Sequence, residues 1–332
     1  MSMDPLDIKG VSPWLQTNWD ARAAGNFIGG GAGTGLLAVA AMQDLAPAGL
    51  FAFIALAFVG FGLLCVWLEI GRPWRAINVF FHPQTSWMTR EGLVAMPLFA
   101  LGGLVVLFGS TLAMLGAALV GLFYLYCQAR IVSASKGIPA WRHPAIVPAL
   151  ISMGLAEGAG IAMILAPGQG GILFILLIAL RLVFWRLYIK RLSADGAPIG
   201  TLKAFASRQF VYQVGGHLLP VLLLGAGLWL DNALVMGLAG FLVAASGWWM
   251  KLILITKAAY NQGFALPRVP VRGQGRPGES VKPGWAAHDR LTPSPSYGAA
   301  PDVNRSLEQI RGEDSRLQSK PSKGFVFRRS AP

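Results

Sequence analysis

Eight runs of about twenty apolar residues, joined by polar links, constrain this chain more than any other feature of its sequence. A helix needs roughly 20 such residues to cross about 30 Å of hydrocarbon. The windows are Ala24–Gln43, Ala48–Ile70, Glu91–Gly109, Thr111–Ser133, Ala145–Ala166, Gly171–Lys190, Phe210–Leu230 and Asn232–Lys257. Hydrophobic residues make up 54% of the chain and charged ones 13%. A soluble domain, with about a quarter of its residues charged, covers its surface in a way this chain cannot. The expected fold class is therefore all-α: a polytopic membrane protein with eight transmembrane helices. The first window is the least apolar, but Gly29, Gly30, Gly31, Gly33 and Gly35 suit a helix packed tightly between neighbours.

The links alternate in character. Those after the first, third, fifth and seventh windows are short and contain no Lys or Arg, whereas the others are longer and basic. Of the 28 Lys and Arg residues, only Arg181 and Lys251 stand deep within windows, the others lying in links, in the terminal segments or within about a turn of a window's end. Positive charge marks the cytoplasmic side of a membrane protein, so both ends of the chain are expected there, with a bacterial inner membrane as the location. Residues 1–23 read as a cytoplasmic segment without the basic start and short apolar core of a secretory signal, and residues 24–260 as the membrane domain. Residues 261–332 are rich in Pro, Gly, Ser and charge and read as a largely disordered basic tail. The tail holds 12 of the 28 Lys and Arg residues, which suits anionic lipid headgroups rather than nucleic acid.

Polar groups inside a bilayer are costly, so each is a functional candidate. Glu157 and Arg181 stand equally far from the turn near Gln169 that joins the fifth and sixth windows. In an antiparallel hairpin they share one depth, and an ion pair between them is expected, either fixing two helices or relaying protons. A second cluster occupies residues 68–92, where Glu69, Arg72, Arg75, His82, Arg90 and Glu91 accompany Trp74, Phe80 and Trp87. An apolar slot with donors and a proton-exchanging carboxylate is what a quinone headgroup requires; ordinary interfacial anchoring uses the same residue types. The expected lining is Glu69, Arg72, Trp87, Arg90, Glu91 and Arg130 at the cytoplasmic ends of helices two to four. Cys65 and Cys127 are too few for an intrinsic iron–sulfur cluster. His217 alone lies in a window, so no haem is expected, and it reads as a residue that hydrogen-bonds between helices. The sequence holds no pair of metal ligands and no nucleotide-binding glycine loop following a strand.

The stretch EIGRPWRA at 69–76, followed by SWMTRE at 86–91, resembles the link between helices two and three of the dimethyl sulfoxide reductase membrane-anchor family. YCQAR at 126–130 and PAW at 139–141 add to the likeness, and WDARAAGNFIGGG at 19–31 resembles the related polysulfide- and nitrite-reductase anchors. The resemblance covers residues 14–257, and within the family it is greatest to anchors of phenylacetyl-CoA:acceptor oxidoreductases. It implies a complex with an iron–sulfur electron-transfer subunit and a molybdopterin catalytic subunit on the cytoplasmic face, with menaquinone or ubiquinone bound by this chain. In that likeness Glu91 matches the family's acidic residue, Arg72 and Arg75 its basic link, and Glu69 stands where many anchors carry a histidine. The catalytic chemistry would belong to the partners. A different class, a transporter or proton conductor built on Glu157 and Arg181, is the alternative; internal repeats and broken helices would mark it.

Overall fold

The computed structural model describes residues 13–70, 77 and 79–263, and among these no β-strand occurs. The helices are α1 (Ala21–Gln43), α2 (Ala48–Glu69), α3 (Trp87–Phe108), α4 (Thr111–Ser133), α5 (Pro139–Arg142), α6 (Ile146–Leu165), α7 (Gly171–Ala194), α8 (Ile199–Gln213), α9 (Leu219–Trp229) and α10 (Ala233–Thr256). A π-helical turn, Val214–Leu218, fuses α8 and α9 into one span. With that fusion, eight helices among the described residues are long and apolar enough to cross a membrane. The fold is an all-helical, multi-pass membrane bundle, as the apolar windows require. Arg72, Arg75 and Trp74, the tail beyond Gly263, and residues 1–12 lie outside the described residues.

Short links leave little room for turns, so local chemistry sets them. Gly109 ends α3 in the left-handed region (φ 61°), and the next residue, Ser110, caps α4 by accepting a hydrogen bond from the Ala113 amide at 3.2 Å. Asn232 caps α10 by accepting from the Leu234 and Val235 amides. Asp20 caps α1 by accepting from the Arg22 amide at 2.7 Å, and the Arg22 side chain beside it holds the Asp20 carboxyl below its usual range.

α1 is the axis of the bundle. It packs on α2, α4, α6 and α10, and it is far more buried than α2 or α3, which turn much of their surface outward. Its glycines permit this. Gly29 and Gly33 lie against the α2 backbone at Phe58, Ala55 and Gly62, while Gly35 meets Gly154 and Gly158 of α6. Without side chains at these positions, the backbones of three helices approach to contact distance.

The seventh span begins at Ile199 rather than near Phe210. Its first turns carry Lys203 and Arg208 and are too polar to register as apolar sequence, yet Thr201 and Phe205 are fully buried and Thr201 Oγ1 donates to the Ala258 carbonyl at 2.8 Å. The basic end of the bundle is further tied by Trp141 Nε1, which donates to Leu254 O at 3.0 Å, and by the Tyr188 hydroxyl, which donates to Ala140 O at 2.9 Å. Residues preceding α1 join this end too. Trp14 and Asn261 exchange backbone and side-chain hydrogen bonds at 3.0 Å, Leu15 bridges Tyr260, and Trp19 stacks on Trp141 with ring centres 4.7 Å apart. The two described ends therefore lie on one face, as an even number of spans demands.

Candidate functional site

Where α2 ends and α1 and α3 begin, a cavity of about 170 Å³ opens at the basic end of the bundle. Its walls are mostly apolar, from Phe27, Val66, Ile70, Met88 and Ile131, with Trp19 at the rim. Two carboxylates line it, Glu69 and Glu91. Ser86 starts α3 by accepting from the Thr89 amide, and that start sets Glu91 one turn further in, where it is 4% exposed.

A buried charge persists only if it is hydrogen-bonded, and two amides serve Glu91. Its Oε1 accepts from Gln128 Nε2 at 2.9 Å and from Asn26 Nδ2 at 3.2 Å, and Gln128 Nε2 also donates to the Asn26 carbonyl at 3.0 Å. Three helices, α1, α3 and α4, thus meet in one polar cluster. Asn26 Oδ1 and Gln128 Oε1 are buried there without a hydrogen-bond partner. Unmet acceptors beside a cavity invite a ligand or water that donates.

Three other residues expected to line the site, Trp87, Arg90 and Arg130, form a separate cluster, while Arg72 lies outside the described residues. The Arg90 and Arg130 guanidinium groups sit over the Trp87 ring at 4.1 Å and 4.8 Å, and Tyr126 meets the same ring edge-on at 5.6 Å. Arg90 also donates to Pro83 O at 2.7 Å and to Gln84 O at 2.8 Å, which holds the link onto α3. Trp87, Arg90 and Arg130 form a cation–π stack that does not line the cavity. The cavity itself is built by α1, α2 and α3, with Ile131 of α4. The sequence had marked Asn26 and Gln128 only as letters within motifs; both are polar residues at helix ends next to glycine or aromatic runs, which was the available signal.

Deeper in the bundle the expected Glu157–Arg181 pair is not formed. Glu157 Oε2 accepts from Lys251 Nζ at 2.7 Å, both side chains being sealed from solvent, and Lys251 Nζ also donates to Phe27 O at 2.8 Å. Arg181 instead donates to the His217 Nε2 at 3.2 Å, to Val243 O at 2.8 Å, to Gly216 O and to Ser246 Oγ. Hairpin symmetry fixed depth but not direction. Glu157 faces α1 and α10, whereas Arg181 faces the π-helical turn and α10. Gly247 of α10 makes the room, since a Cβ there would press on the Glu157 carboxyl. The unforeseen partner, Lys251, is with Arg181 one of the two cations deep within a window and could have been found by that fact alone.

His217 bonds between helices as expected. Its Nε2 accepts from Arg181, so its Nδ1 carries the proton and donates to Tyr212 O at 3.1 Å. Both ring nitrogens are engaged. The π turn supplies this geometry, because its wider winding releases the Gly216 carbonyl to Arg181 and turns His217 inward. Cys65 and Cys127 are buried free thiols.

No protein-family model matches the chain, and no curated protein matches it. Fold and span composition define the class: an eight-span helical membrane protein with a carboxylate-lined cavity at its basic end.

Proposed function

We propose that this chain is the quinone-reactive membrane anchor of a molybdopterin oxidoreductase complex of the bacterial inner membrane. It passes electrons between an iron–sulfur partner on its cytoplasmic face and membrane quinone. One observation carries the reading: a small, largely apolar cavity at the basic end, lined by a partly exposed carboxylate and a buried one. At about 170 Å³ it is smaller than the ~300–1,000 Å³ of sites that enclose whole drug-sized ligands. It suits a headgroup whose tail stays among lipid chains.

The residues present fit such a group. A membrane quinone supplies exchange of two electrons together with two protons. Asn26 and Gln128 orient the Glu91 carboxylate towards the cavity, and the unmet acceptor Asn26 Oδ1 beside it suits a hydroxyl donor. Glu69 stands at the mouth, half-buried, where it can hand a proton between Glu91's side of the cavity and water. Phe27, Val66 and Met88 exclude water from the remaining surface. Trp87, Arg90 and Arg130, stacked outside the cavity, suit docking of the iron–sulfur partner better than headgroup binding.

Glu69→Gln keeps shape and removes the titratable proton. Turnover with quinone should fall by roughly a hundredfold or more in washed membranes, the size expected for loss of a general acid–base group. Activity with a soluble artificial dye and the amount of membrane-bound complex should stay unchanged. Unaltered quinone turnover in both Glu69→Gln and Glu91→Gln removes the reading, and release of the complex from the membrane assigns these residues to docking instead. A second reading, a proton conductor, draws on the buried Glu157–Lys251 pair. It expects liposomes containing this chain alone to acidify under an imposed potential, and Lys251→Met to stop that flux.

A further inference from the structure

Away from the carboxylate cavity, α7 and the seventh span enclose a second space of about 390 Å³ that opens sideways where a bilayer would be. Its walls are apolar, with Ile178 and Leu182 on α7 facing Leu218 and Val221. His217 lines it with both ring nitrogens already engaged, and the remaining polar groups gather at one end. There Arg186 Nη2 donates to Gln213 Oε1 at 3.0 Å across the crevice, which consumes the amide's acceptor. Gln213 Nε2 is left buried without any acceptor, and the rest of the Arg186 guanidinium is exposed. At 1.5 Å per helical residue, both groups stand about 23 Å from the far ends of their helices, in the half of the bilayer nearer the basic face.

Charge in this quarter of the molecule is unbalanced. Between Glu157 and Asp231 the sequence contains six cations, Arg181, Arg186, Lys190, Arg191, Lys203 and Arg208, and a single carboxylate, Asp195. Asp195 is already engaged by His143 Nε2 at 3.0 Å. Arg181, directly behind His217, is fully buried and bonded only to uncharged acceptors. A buried cation without an anion is costly, and an exposed guanidinium beside an unpaired amide donor makes a ready fork for phosphate.

We propose that this crevice is a binding site for an anionic phospholipid of the leaflet on the basic side. One acyl chain lies along Ile178, Leu182 and Val221, and the phosphate accepts hydrogen bonds from Arg186 and Gln213 Nε2. A basic pocket between spans that holds an anionic headgroup obeys the same electrostatics as a polybasic segment near a membrane, worth about 1 kcal/mol per cation, or about fivefold in affinity. The apolar length of the crevice selects a long-chain amphiphile over free phosphate.

The test uses the full chain purified in detergent, with lipid retention read by native mass spectrometry and thermal stability read by melting. Dioleoyl phosphatidylglycerol should raise the melting temperature and remain bound, whereas dioleoyl phosphatidylcholine should do neither. Arg186→Ala should weaken the phosphatidylglycerol effect about fivefold, and Arg186→Ala with Gln213→Leu should abolish it. Ala179→Phe fills the crevice from α7 without touching a charge and should also abolish it, so the test survives if the polar variants do not fold. Equal effects of the two lipids, or a phosphatidylglycerol effect that persists in Ala179→Phe, overturns the proposal. A shift produced by a decyl-quinone and not by phosphatidylglycerol overturns it as well, in favour of a neutral headgroup.

Discussion

Lys251 is a lysine with no water to reach. Its ammonium is held by one carboxylate and one backbone carbonyl, both within 2.8 Å, in a position where neither charge could stand alone. Removing one partner of such a pair costs roughly 3–5 kcal/mol, because the other charge is stranded. Lys251→Met should therefore lower the yield and melting temperature of folded protein sharply, and adding Glu157→Gln should restore part of both. Arg181→Gln combined with Glu157→Gln should show only additive losses, since no bond joins them; partial rescue there would contradict the observed pairing. The sequence made the membrane-buried charges legible as a set, because each violates the apolar pattern. It did not make the pairing legible. Glu157 and Lys251 are joined across α6 and α10, which are distant in the chain, and what brings them together is the direct glycine contact of those two helices at Gly160, Gly240 and Gly247. Trp87 teaches a related lesson: its neighbours in sequence foretold an aromatic, charged cluster, but only side-chain directions could separate the stack on Trp87 from the cavity at Glu91.

At the scale of elements, the close approach of α1 to α2 and α6 is what holds the polar clusters at fixed distances. A Cβ at Gly158 would intrude on the α1 backbone at Gly35 and Leu36, which has nowhere to move, whereas one at Gly225 of α9 would meet nothing within 4 Å. Gly158→Val should thus cost at or above the upper end of the ~1–3 kcal/mol usual for overpacking, seen as lost monodisperse protein after extraction. Gly225→Val should extract like the parent. Equal behaviour of the two would mean that helix separation in the bundle is not set by these glycines. Seven of the eight span positions were readable from apolar length to within a few residues. The start of the seventh was not, because its first turns bury one face and present Lys203 and Arg208 on another. Its π turn has no signature in hydropathy at all; only paired glycines beside a histidine hint at it.

For the whole molecule, the separation of basic from uncharged or acidic links gives orientation. The four far-side links carry no Lys or Arg, and two of them carry Asp44 and Asp231. Reporter fusions after Pro139 and after Gly170 should give opposite locations, with Pro139 inside the cell, and a periplasmic Pro139 would reverse both the proposed orientation and the proposed docking side. The contact between the segment before α1 and the chain just after α10 adds a matter of timing. Trp14, Leu15 and Gln16 leave the ribosome before any span, yet their partners, Ala259, Tyr260 and Asn261, are made only after the eighth. Until then, Trp14 and Gln16 lack these bonds. The junction therefore closes only after the last span is made, and it ties the beginning of the first helix to the end of the last.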